Sequence, residues 1–65
     1  MTETESHTTP QGCVVTVRAV GPSVEVVVRQ ADGRTATYAC KWQDMVTIHG
    51  MLAAAVGRAR DAEGT

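Results

Sequence analysis

The stretch CVVTVRAVGPSVEVVVRQADGRTATYAC, residues 13–40, decides the fold. Three β-branched runs with loose apolar alternation are set apart by Gly21-Pro22-Ser23 and by Ala31-Asp32-Gly33, and that composition suits half-buried strands joined by hairpins. The alternation also sets the register, because residues paired across antiparallel strands point to the same face. Cys13, Val15, Val17 and Ala19 form one face with Val24, Val26 and Val28 and with Ala36, Tyr38 and Cys40. Pairing Val26 with Tyr38 and Val28 with Ala36 requires an odd number of loop residues. A three-residue loop, Ala31-Asp32-Gly33, meets that demand as a type I turn followed by Gly33 at positive φ. The Gly21-Pro22 connection must instead have an even length.

Beyond Cys40 the apolar spacing changes to three and four. Trp42, Met45, Val46, Ile48, His49, Leu52, Ala55, Val56 and Ala59 recur at that interval, which predicts an amphipathic helix from about Gln43 to Arg60. Asp44 near its start and Arg58 and Arg60 near its end suit the helix dipole. Gly50 inside the helix costs about 1 kcal/mol relative to Ala and points to a close approach there. Residues 1–12, MTETESHTTPQG, hold no large apolar side chain after Met1 and are expected to form a disordered tail. Residues 61–65 are expected to fray. The expected architecture is therefore α+β: one domain over residues 13–60, a three-stranded antiparallel β-meander followed by a C-terminal amphipathic α-helix.

A chain of 65 residues supports one small core. Here that core is built mainly from Val, with one Leu (Leu52), one Ile (Ile48) and no Phe. One helix covers one sheet face. The other carries Val14, Thr16, Val20, Val27, Thr35, Thr37 and Ala39 and is poor in charge, while Met51 lies on the outer side of the helix. These features predict a homodimer.

Composition narrows the function. The net charge of −1 argues against a nucleic-acid partner held by counterion release. No apolar run has membrane-spanning length, and the acidic, polar N-terminus lacks the pattern of a signal peptide, so a cytoplasmic protein is expected. Five Arg to one Lys, with abundant Ala, Val and Gly, suits a GC-rich bacterial gene.

No catalytic, cofactor-binding or metal-binding constellation is expected. Cys13 and Cys40 fall at opposite corners of the meander, separated by two strand spacings of about 4.8 Å and about six residues of 3.3 Å. That is too far for a disulfide within one chain, and no CxxC or HxxH spacing is present, so both read as structural thiols. His49 lies on the apolar stripe without a nucleophile beside it and reads as a packed residue. Trp42 reads as a lid over the end of the sheet or as an aromatic anchor for a partner. Arg18, Arg29, Arg58 and Arg60 read as solvated surface. No phosphate loop or dinucleotide fingerprint occurs.

The leading expectation is a small non-enzymatic, homodimeric accessory or regulatory protein. It would bind an unidentified protein partner through its helix face or sheet edge, with Trp42, Met51, Val14, Val27 and Arg58 as the candidate interaction residues. A second reading is a DNA-associated regulator. Three strands and a helix in this order resemble the N-terminal dimerisation domain of a class of bacterial nucleoid proteins. The Arg-rich DNA-contacting tail of that class has no counterpart in these 65 residues, so the resemblance implies dimerisation without DNA binding. A third reading is an enzyme with an intersubunit Cys or His site.

Overall fold

The computed structural model describes residues 4–64. Four strands, β1 (Thr4–Thr8), β2 (Val14–Val20), β3 (Ser23–Arg29) and β4 (Thr35–Lys41), precede one helix, α1 (Trp42–Glu63). The strands form an antiparallel meander in the order β1-β2-β3-β4. The α+β class and the meander agree with the sequence reading, but the sheet has four strands where three were expected.

The register across β2, β3 and β4 is the one the alternation requires. Val17 lies opposite Val26 and Ala19 opposite Val24, while Val26 pairs with Tyr38 and Val28 with Ala36. Gly33 sits at φ 92. The Gln30 amide donates to the Arg34 carbonyl at 2.7 Å and the Gly33 amide to the Gln30 carbonyl at 2.9 Å. The Asp32 carboxylate accepts from the Arg34 amide (3.0 Å) and the Arg34 Nε (2.6 Å), which braces the loop. Val20 pairs with Ser23, leaving the two-residue loop Gly21-Pro22. Gly21 takes φ 57, as the first central position of a type II′ turn demands.

Over residues 4–8 the expected tail is corrected by β1, which pairs with β2 from Thr4 opposite Arg18 to Thr8 opposite Val14; residues 1–3 of that expectation lie outside the described residues. Its turn repeats the Gln30–Arg34 loop. Pro10, Gln11 and Gly12 lie between Thr9 and Cys13, with Gly12 at φ 89. The Thr9 amide donates to the Cys13 carbonyl (2.8 Å) and the Gly12 amide to the Thr9 carbonyl (2.9 Å), while the Thr9 hydroxyl accepts from the Cys13 amide (3.1 Å). Pro at the second position of a type I turn and Gly in the left-handed region supply the required geometry without any apolar residue. Composition alone hid the strand, because its stability comes from ladder hydrogen bonds and not from burial.

Two boundaries also shift. The helix runs from Trp42 to Glu63, longer at both ends than the expected Gln43–Arg60, so residues 61–63 of the segment expected to fray are helical, and Thr65 lies outside the described residues. Its first amide is satisfied across the chain: Trp42 donates to the Pro22 carbonyl at 3.0 Å. Asp44 occupies the first turn and Arg60 the last, and the Gly64 amide closes the end on the Arg60 carbonyl.

The expected core is absent. No described residue is buried, and α1 contacts β3 and β4 but neither β1 nor β2. Among the described residues, this 22-residue helix, about 33 Å long at 1.5 Å per residue, meets the sheet at β3 and β4 alone. Among the described residues, no helix is long and apolar enough to cross a membrane.

Candidate interaction surface

The two sheet faces differ in chemistry. One carries Glu5 and His7 from β1 beside Val15, Val17, Val24, Val26, Val28, Tyr38 and Cys40, as the pairing dictates. The other carries Thr4, Ser6, Thr16, Arg18, Glu25 and Lys41 among its Val and Thr residues. There Arg18 Nε meets Glu25 Oε1 at 2.7 Å, and the Ser6 and Thr16 hydroxyls lie 3.0 Å apart. This face is more polar than the sequence reading expected, because β1 adds hydroxyls and opposite charges face each other across β2 and β3. Val14 and Val27 belong to it and are half-buried, not prominent.

Apart from Val14, Val20, Val27 and Ala39, the apolar residues of β2, β3 and β4 lie on the other face. Met45 in the first turns of α1 is half-buried beside Val24. Further along, the helix and sheet leave between them a groove of about 620 Å³ lined by Val26, Tyr38, Cys40, Met45, Ile48 and Leu52. Thr37 and Ala39 also line it. Because their side chains alternate with those of Tyr38 and Cys40, the groove opens around the free edge of β4.

Tyr38 is 64% exposed, Leu52 60%, Trp42 54% and Met51 65%. Trp42 is therefore not a closed lid; it lines a shallow hollow with Val24, Met45, Val46 and His49. Met51 and Arg58 share a second hollow with Ile48, Leu52, Ala54 and Ala55. The fold thus brings Trp42, Met51 and Arg58 onto one helix and leaves Val14 and Val27 on the opposite sheet face. Tyr38, Ile48 and Leu52 were assigned to the core by their periodicity. That signal identified an apolar stripe correctly but could not say whether this chain covers it.

Cys13 and Cys40 are half-buried free thiols. Cys40 pairs with Val24 near the helix junction, whereas Cys13 precedes β2 at the other end of the sheet. Among the described residues, no group of three His, Cys, Asp or Glu side chains is placed to hold a metal ion. Beyond the backbone of its own helix, Gly50 has open space where a Cβ would stand, so the close approach expected there does not come from another described part of this chain.

The fold and surface together define a class: a four-stranded meander with a projecting helix and an uncovered apolar groove. In comparison with known proteins, no family model, no curated protein and no solved structure matches the chain.

Proposed function

We propose that this chain is a non-enzymatic accessory or regulatory protein that works as a homodimeric interaction module. The observation that carries this reading is the absence of any buried described residue beside nine exposed large apolar ones. A monomeric protein of 6.9 kDa exposes about 4,000 Å², whereas this chain exposes 5411 Å², an excess of about 1,400 Å². A standard interface removes about 800 Å² from each partner, and obligate dimers remove more. The radius of gyration, 13.7 Å, likewise exceeds the roughly 10.7 Å of a compact 65-residue chain.

An apolar surface of this extent in water favours association with roughly 25 cal/mol for each Å² removed. Self-association is the simplest cover, since every copy carries the same groove and the same unpartnered helix. Surfaces left free by the dimer then present the protein to its partner. Sedimentation velocity across a concentration range, with reductant present, tests the reading. A dimer that persists into the nanomolar range supports it. A folded monomer at every concentration would overturn it and leave the groove to a different protein.

A further inference from the structure

We infer that the second copy joins at the free edge of β4, antiparallel and in a two-fold register centred on Tyr38, to make one continuous eight-stranded sheet. This deepens the homodimer reading and rests on it. Hydrogen-bond parity supplies the first argument. In an antiparallel ladder, hydrogen-bonded and non-bonded pairs alternate. The Gln30 amide donates to Arg34 and the Trp42 amide to Pro22, so the bonded pairs between β3 and β4 are Val28 with Ala36, Val26 with Tyr38 and Val24 with Cys40. Thr35, Thr37, Ala39 and Lys41 therefore turn their amides and carbonyls outward, away from β3.

The register follows from self-complementarity. With Tyr38 opposite its symmetry mate, Thr37 falls opposite Ala39 of the second copy and Thr35 opposite its Lys41. These are the residues whose backbone groups are free. All seven residues of β4 are then paired. Ala36 meets Cys40 across the junction, small against small, and no like charges face each other. Shifting the centre to Thr37 or Ala39 keeps the parity but shortens the overlap.

The two sheet edges also differ as protected edges do from adhesive ones. β1 is TESHT, five residues with no apolar side chain. β4 is TATYACK, with its only charge at the last position. The apolar groove opens on the β4 side, between that edge and α1. A two-fold axis normal to the sheet keeps both helices on the same face. It sets Tyr38, Ile48 and Leu52 of each copy, three of the exposed apolar residues, near the junction.

Replacing Thr37 with Pro removes an amide that β3 does not use and places the ring against the incoming strand. Ser6→Pro is the matched change on the opposite edge, because the Thr9 and Cys13 pairing makes Ser6 outward-facing by the same parity. T37P is expected to weaken dimerisation about 30-fold or more, through two lost bonds and two carbonyls left unpaired, while S6P leaves it unchanged. Amide hydrogen exchange on the unmodified protein gives an independent readout if T37P fails to fold. Slow exchange at Thr37 and Ala39, with fast exchange at Ser6 and Thr8, is expected. A wild-type dimer in which Thr37 exchanges as fast as Ser6, or in which T37P associates normally, overturns the edge assignment alone. A wild-type monomer overturns the homodimer reading and this inference with it.

Discussion

At the scale of single residues, a glycine at positive φ holds each of the three hairpins, and two of them, Gly12 and Gly33, differ in what surrounds them. Gly33 at φ +92 has open space where a Cβ would stand, whereas a Cβ on Gly12 at φ +89 would meet the Ala31 Cβ at 3.2 Å. Gly33→Ala should therefore cost about 1–2 kcal/mol from the left-handed backbone alone. Gly12→Ala should cost more, because the two loops at that end of the sheet must also move apart. Urea denaturation of both variants at one protein concentration checks the order. Gly33 was legible in the sequence because the flanking Val and Thr runs forced an odd loop length. Gly12 was not, since its turn joins a polar strand and leaves no apolar alternation to count.

At the scale of elements, β1 and α1 depart from expectation for opposite reasons. Thr4–Thr8 forms a strand with no apolar side chain, held by its ladder to β2 and by the Ser6–Thr16 hydroxyl contact. Such a strand is expected to be the first to open. Exchange at its inner amides, His7 and Glu5, should be faster than at Val26 and Val28 in β3. The helix was legible in its period and nearly so in its limits. Its role in covering the sheet was not, because period specifies an apolar stripe and not the surface it meets. Gly50→Ala discriminates between the two situations. If the helix stays as open there as it is in one chain, Ala should stabilise it by about 0.8–1 kcal/mol. A loss of stability on thermal denaturation would mean that a second chain packs against Gly50.

At the scale of the whole molecule, a chain with no buried described residue cannot draw its stability from an internal core. Folding and association should be linked, so the melting temperature should rise with protein concentration, as mass action requires. Trp42→Ala and Met51→Ala should each weaken assembly by about 1–2 kcal/mol where these side chains become covered. Sedimentation equilibrium of the two variants reads that loss directly, and two variants that assemble like the wild type would place the contact elsewhere on α1 and the sheet.

Legible from the residues alone were the faces of the three apolar strands, the pairing of Val26 with Tyr38 and Val28 with Ala36, the three-residue loop with positive φ at Gly33, the even length of the Gly21-Pro22 loop and the existence of the helix. All of these follow from local chemistry: side-chain alternation, steric limits on φ and the helical period. The folded chain alone reveals that a polar fourth strand closes one edge, that α1 meets β3 and β4 alone, and that the apolar stripe is left open. These depend on which surfaces meet across the chain, and residues with the same local pattern serve equally well as a core within one copy or as an interface between two.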